Sequence, residues 1–417
     1  MKIYEEILRE EMVKALGCTE PIAVALCGAK AREVLGKMPT KITIKCSNNI
    51  VKNVKGVDIP TTKNMKGIDT ACVLGCIAGD ASLGLEVLRN VKDKDLELLK
   101  ELLNKKICKV EKLESGDNLH IICMVENGKD TAEVEILHSH SNIVLIKKNN
   151  ETILDTKRDN IQNNKLDTIA LKFNDIYDFV NEFTVDSLKD LFELEIECNN
   201  NIAEEGLKNN YGANVGKTIL KNGNGNIKEI CKAYAAAGSD ARMAGCSLPV
   251  VINSGSGNLG MTILSTVYQY WKHLNLPKEK LYRALCFANL VALWIKQQIG
   301  KLSAFCGAVS AGTAAGAAIT YMRNGTKQQI ENTIINALNG ADGIICDGAK
   351  SSCALKIAVS VENGIIASDM AMGENVLKNN EGLVKDTLEK TVSAVCRMAR
   401  VGMKETDEEI LRIMLDK

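Results

Sequence analysis

The chain has 417 residues, 46% of them hydrophobic and 25% charged, and its 52 Lys+Arg are matched by 52 Asp+Glu. That make-up belongs to a globular protein of about two domains. With no basic excess to neutralise phosphates and only 4% aromatic residues to stack on bases, it argues against a nucleic-acid or membrane-surface partner.

The opening segment, MKIYEEILREEMVKAL, is charged and amphipathic, with Ile3, Ile7, Val13 and Leu16 on one face. It has neither an apolar signal region nor a cleavage site, so a cytoplasmic location is expected. The pattern predicts a helix broken at Gly17-Cys18-Thr19-Glu20-Pro21, with Thr19 capping a second helix that ends at Gly36. Lys41–Cys46 alternates as a strand, and residues 47–53 read as a polar loop. A small-residue helix is expected over 68–81 and a charged helix over 93–105. Alternating segments follow at 107–113, 118–125, 132–137 and 143–148. Charged amphipathic helices return over 163–210, and the rest is almost wholly helical and rich in Ala and Gly. The uncharged stretch Leu302–Met322 is Gly/Ala/Ser/Thr-rich, which suits a buried core helix better than a membrane span. The expected fold is therefore mainly α: a multi-helix catalytic domain with a small α/β insertion. Its parts would be 1–90 (the N-terminal part of the catalytic domain, with substrate loops), 91–160 (the insertion) and 161–417 (the helical part).

Fifteen cysteines without a secretory leader point to reduced thiols. Cys27, Cys72, Cys76, Cys108, Cys123 and Cys286 sit in apolar runs and read as small hydrophobes. Cys306, Cys346 and Cys353 stand in small-residue contexts instead. Their spacing is neither a ferredoxin pattern nor a paired zinc knuckle, so spacing alone leaves buried thiols and a metal centre both open. Gly307, Gly312, Gly316, Gly340, Gly343 and Gly348 are expected to clear room for a bulky inorganic group. Three thiolates on a four-iron cube would leave one iron free as a Lewis acid.

Cys18 precedes a helix start, where the macrodipole is expected to lower a thiol pKa. Glu20 reads as a first-turn dipole partner or a base. Residues 253–260, with Ser254, Ser256 and Asn258, form a candidate nest for a carboxylate. Asn48, Asn49, Lys52 and Lys66 are candidate substrate contacts, against a reading as solvated loop residues. His138 and His140, at i and i+2 near a strand end, would point the same way, with surface histidines as the plainer reading.

Six segments in order carry a resemblance: Gly17-Cys18-Thr19-Glu20-Pro21; Lys52-Asn53 with Ile59-Pro60-Thr61 and Lys66-Gly67; Asp240-Ala241-Arg242-Met243; Gly255-Ser256-Gly257-Asn258; Leu302-Ser303-Ala304-Phe305-Cys306-Gly307; and Cys346-Asp347-Gly348-Ala349-Lys350. Together they resemble the iron–sulfur L-cysteine desulfidase family, which is similar in turn to the catalytic α-domain of the iron–sulfur L-serine dehydratases. The resemblance implies that Cys306, Cys346 and Cys353 hold a [4Fe–4S] cluster. It also implies that Cys18 is catalytic or a resting fourth ligand, and that His140 lies toward the substrate pocket. L-cysteine would be the substrate, giving pyruvate, ammonia and hydrogen sulfide, and a homodimer is allowed. Alternatives are β-elimination of another amino acid in the manner of the serine dehydratases, and a non-catalytic iron–sulfur sensor. A third is a pyridoxal-phosphate lyase with Lys296 or Lys301 as the Schiff-base residue.

Overall fold

A computed structural model of the chain describes residues 2–114, 116–156, 166 and 169–415. It is mainly α-helical with one substantial sheet. Helix α1 (Lys2–Glu11) leads into a short strand, β1 (Lys14–Leu16), which pairs antiparallel with β8 (Pro249–Val251) and ties the N-terminus to the C-terminal half. Helix α2 (Thr19–Leu35) ends where Gly36 takes φ 80°. Cys18, rather than Thr19, occupies its N-cap; Thr19 instead donates its hydroxyl to the Gly255 carbonyl at 2.8 Å.

The sheet runs β3-β2-β4-β5-β6-β7. Its strands are β2 (Lys41–Cys46), β3 (Cys108–Lys112), β4 (His120–Asn127), β5 (Asp130–Leu137), β6 (Ile143–Lys148) and β7 (Glu151–Asp155). Strand β2 lies between β3, to which it is parallel, and β4, to which it is antiparallel. The segment 41–46 is therefore woven into the sheet that 107–155 builds. Alternation sets the buried face: Ile42, Ile44 and Cys46 on β2, Ile121, Cys123 and Val125 on β4, and Val134 and Ile136 on β5. Helices α2 and α4 (Ile68–Ala78) cover that face, and α5 (Asp93–Asn104) backs α4.

Three local expectations are corrected. The opening helix stops at Glu11, and Lys14–Leu16, expected to continue it, is strand β1 paired with β8. Residues 47–53 are not a loop but most of helix α3 (Asn48–Lys55), whose Ile50 and Val54, one turn apart, are both buried. The small-residue helix ends at Ala78, because Gly79 turns extended at φ −68°, ψ 136°. The amphipathic-helix expectation for 163–165 and 167–168 falls outside the described residues.

The remainder is a stack of helices: α6 (Phe173–Glu182), α7 (Lys189–Lys208), α8 (Val215–Asn222), α9 (Ile227–Met243), α10 (Gly257–Leu274), α11 (Lys278–Ile299), α12 (Gly307–Met322), α13 (Lys327–Gly340), α14 (Cys353–Met372), α15 (Leu388–Arg397) and α16 (Lys404–Met414). Among the described residues no helix is long and apolar enough to cross a membrane. Helix α12 is buried from Ala308 to Met322, as its small-residue composition suggests.

The contact between α12 and α14 is unusually close. A Cβ at Gly312 would lie 2.2 Å from the Ser360 carbonyl oxygen, and one at Gly316 would lie 2.4 Å from that of Gly364. Both partners advance by four residues together, so the helices run parallel with their N-terminal ends on the same side. This corrects the expected role of three glycines: Gly312 and Gly316 serve helix packing, and Gly340 abuts the Asn363 side chain. None of the three lines the cysteine cavity described below.

Gly316→Ala should destabilise the protein by about 1–3 kcal/mol, because the methyl group meets rigid backbone. Gly343→Ala, with nothing within 4 Å of where its methyl group would stand, should not. Urea midpoints at constant slope check both; equal midpoints would disprove the close-packing argument.

Candidate active site

Four helix starts meet at one cavity. Cys306 is the N-cap of α12, Cys353 the first residue of α14, Cys18 the N-cap of α2 and Ser256 the N-cap of α10. Together with Cys346, Arg242, Glu20, Asn53 and Asn258 they line a cavity of about 100 Å³. Cys346 comes from the loop before α14, which is laced to the strand-like run before α12. The Cys346 amide donates to the Ala304 carbonyl at 2.6 Å, and the Cys306 amide to the Ile344 carbonyl at 3.1 Å. Helix N-termini carry partial positive charge and unpaired N–H groups, so their convergence favours an anion in this cavity.

The chemistry of Cys18 differs from the sequence expectation. Its thiol donates to Glu20 Oε2 at 2.8 Å. Burial pushes the Cys18 pKa well up, and the Glu20 carboxylate pushes it further; Arg242 opposes them without prevailing. The helix dipole is outweighed, so Cys18 rests as a thiol. Burial would also raise the Glu20 pKa, but the adjacent His140 ring holds it down to about 2. His140 Nε2 lies 3.6 Å from Glu20 Oε1, and Asn53 Nδ2 donates to the same oxygen at 3.0 Å. Glu20 is thus a buried carboxylate facing a thiol, an amide and an imidazole.

His140 and His138 do not share a face. Strand β5 ends at Leu137 and His138 takes φ 66°, so strand alternation no longer applies. His138 is exposed, 3.6 Å from Asp117, whereas His140 is buried behind Glu20 rather than on the surface. Its ring lies against Gly255 (φ 73°), where a Cβ would stand 2.9 Å from Nδ1.

Arg242, given no role from the sequence, is central. It is buried, donates to Asn258 Oδ1 at 2.6 Å and to the Gly17 carbonyl, and leaves its Nε without a partner. Burial lowers its pKa from the ordinary arginine value. Gly257 makes room for it, since a Cβ there would be 2.5 Å from the guanidinium carbon. The available signal was an arginine in the otherwise Ala-rich end of a helix.

The other predicted residues divide. Ser256 and Asn258 line the cavity, while Ser254 is buried in the preceding turn at φ 48°. Asn48, Asn49 and Lys52 border a separate polar cavity of about 270 Å³. Lys52 is ion-paired with Asp407 and donates to the Cys346 carbonyl at 3.3 Å. Lys66 is half exposed, 3.5 Å from Asp58, and lines neither cavity. Lys296, whose pKa burial pulls down to about 8, donates to the Lys301 carbonyl; Lys301 pairs with Glu11 at 3.1 Å. Neither lysine lines the cysteine cavity.

Among the described residues no three His, Cys, Asp or Glu are grouped closely enough to share a single metal ion. A cube places each thiolate on a different iron, and so asks for a wider triangle of donors. Burial pushes the Cys306 thiol up to about 12, with Cys346 adding to the effect, and burial also raises Cys353. Such crowded thiols ionise together only beside positive charge, which an iron–sulfur group would bring. The donor set fits that group.

The fold and site define a mainly helical protein with a small, partly open, thiol-lined pocket at which four helix N-termini meet. The chain matches the family model of the serine dehydratase alpha chain over residues 82–412, and it belongs to that family. It is similar along its whole length to proteins named UPF0597. One from Lachnoclostridium phytofermentans is 47% identical, covering 99% of both chains. One from Finegoldia magna is 48% identical, covering 100% of both, and one from Treponema denticola is 42% identical, covering 99% of this chain and 97% of its own.

Glu20 has a depressed pKa, so its ionisation stabilises the fold above the ordinary carboxylate range and that stability fades as pH falls toward 2. His140→Ala removes the group that holds the pKa down. Its acid unfolding, followed by circular dichroism, should begin at higher pH than wild type. Coincident acid transitions would refute the coupling.

Proposed function

We propose that the protein is a cytoplasmic [4Fe–4S]-dependent lyase that converts L-cysteine to pyruvate, ammonia and hydrogen sulfide by β-elimination. The observation that supports it most is the meeting of Cys306, Cys346 and Cys353 with Cys18, Glu20 and Arg242 in one cavity. A cluster held by the three cysteines would supply an open iron, a Lewis acid for the departing sulfur.

The chain's own groups account for the rest. Arg242, with a free Nε, and the α10 N-terminus at Ser256 and Asn258 suit the substrate carboxylate. Cys18, as its thiolate, would take the α-proton, with Glu20 2.8 Å away orienting its sulfur; the inorganic group and the substrate ammonium would bring the positive charge that its ionisation requires. Removal of that proton and loss of sulfide leave aminoacrylate, which tautomerises and hydrolyses to pyruvate and ammonia. Met243, Leu259 and Ile357 make one flank of the pocket apolar. Apolar lining suits the weakly hydrated thiol of L-cysteine better than the hydroxyl of L-serine, which favours the former.

Anaerobically purified protein should carry about four irons and four sulfides per chain and release sulfide from L-cysteine. Cys306→Ala, Cys346→Ala and Cys353→Ala should each lose iron and activity together, while Cys108→Ala and Cys286→Ala keep both. Full activity in an iron-free, colourless preparation would end the proposal, and faster turnover of L-serine would move the substrate assignment.

Cys18→Ser should retain iron but turn over about 10²–10⁴-fold more slowly. It should also fail to wash solvent deuterium into recovered L-cysteine. Wild-type exchange in this variant would remove Cys18 from the proton-transfer step.

A further inference from the structure

Lys52 is buried to 1% exposure, and it is a cation. A buried ammonium persists only where partners compensate its lost hydration. Its partners are the Asp407 carboxylate, from α16, and the Cys346 carbonyl. The same residue meets the cysteine loop a second time. Gly348, at φ 91°, lies so close that a Cβ would stand 2.5 Å from the Lys52 carbonyl oxygen. One residue further, the Ala349 carbonyl packs over Gly56 at the end of α3, 3.3 Å from where a Cβ would be. The loop from Cys346 to Ala349 therefore lies flat on α3, held by the Lys52 ammonium at one point and by backbone contact at the next.

Helix α16 closes the arrangement from the far side. It buries only Ile410 and Leu411, and its other anchors to α3 are polar: the Lys52–Asp407 pair and a bond from Lys55 to the Met414 carbonyl. Without Asp407, the Lys52 ammonium would lack its counter-charge and would swing toward the polar cavity beside it.

We infer that Lys52 and Asp407 form a clamp that positions Cys346 for the inorganic group, making α16 a structural strap on the site rather than a peripheral tail. Lys52 is then a positioning residue, not a substrate contact. The inference rests on the cluster reading above. Groups behind a metal ligand fix its orientation, and their loss costs about ten- to a hundredfold in retention. An ammonium on the carbonyl of a ligand residue also places positive charge beside the cluster, so its removal should alter the cluster's electronic signature.

The test uses anaerobic, cluster-loaded protein with Lys52→Met, Lys52→Arg and Asp407→Asn. Iron release to a ferrous chelator, the paramagnetic resonance spectrum of the reduced protein, and kcat and KM for L-cysteine are measured. Lys52→Met and Asp407→Asn should release iron about ten times faster than wild type, with a shifted spectrum and little change in KM, and Lys52→Arg should restore much of the retention. Wild-type iron release and spectrum with a raised KM in Lys52→Met would overturn the clamp and make Lys52 a substrate residue. Wild-type behaviour of Asp407→Asn in every readout would overturn the strap. If Lys52→Met does not fold, Asp407→Asn on the outer helix carries the test. If the wild type holds no iron at all, the cluster reading fails by itself, and the clamp is judged by amide hydrogen exchange over residues 344–353. Faster exchange in Asp407→Asn supports it, and unchanged exchange refutes it.

Discussion

Helices α12 and α14 touch backbone to backbone at Gly312, Gly316, Ser360 and Gly364, and because they run parallel their N-terminal ends finish side by side. Those ends carry Cys306 and Cys353. Any side chain at the crossing would push the helices apart and separate the two thiols. The geometry of the pocket thus depends on an apolar packing contact about two turns away from it. The small residues of an uncharged stretch are the means by which the core brings two helix starts to one point.

The electrostatics follow from that placement. Four converging N-termini create a site that prefers negative charge, and the chain answers with thiols, which can remain neutral, and with one carboxylate. His140 and the Cys18 thiol hold the Glu20 pKa down against burial, while burial first and the Glu20 charge second raise that of Cys18. Arg242 is held buried on Asn258 and the Gly17 carbonyl with donor capacity to spare. The pocket therefore holds a proton on sulfur, a carboxylate beside it, and an arginine with one donor unused.

Much of this was legible from local pattern. Alternation marked β2 to β6, Gly36 marked the end of α2, and the small-residue contexts of Cys306, Cys346 and Cys353 separated them from cysteines that only fill space. What escaped was non-local. Helix α3 looked like a loop because Asn-Asn-Ile-Val-Lys-Asn-Val offers few positions for a helical period. The thiol state of Cys18 depended on a carboxylate two residues on that turns into the same pocket. Arg242 carried no visible role, since nothing in its neighbours reveals that α9 ends against the starts of α2 and α10. The ion pair of Lys52 was not visible, because its partner Asp407 lies at the opposite end of the chain.

The three cysteines proposed as ligands lack a recognisable spacing for a related reason. A ferredoxin-type loop wraps its metal with consecutive turns, so the intervals between ligands are short and fixed by the loop. Here each thiol is delivered by a different supporting element: Cys306 by the cap of α12, Cys353 by the first turn of α14, and Cys346 by a loop pressed against α3. The interval between Cys306 and the other two records only the length of the intervening helices, α12 and α13, which can change without moving a sulfur. The local signal lies at each cysteine separately, in its small-residue context. A site assembled from helix starts is therefore found by asking which helices can begin at the same place, not by counting residues between ligands.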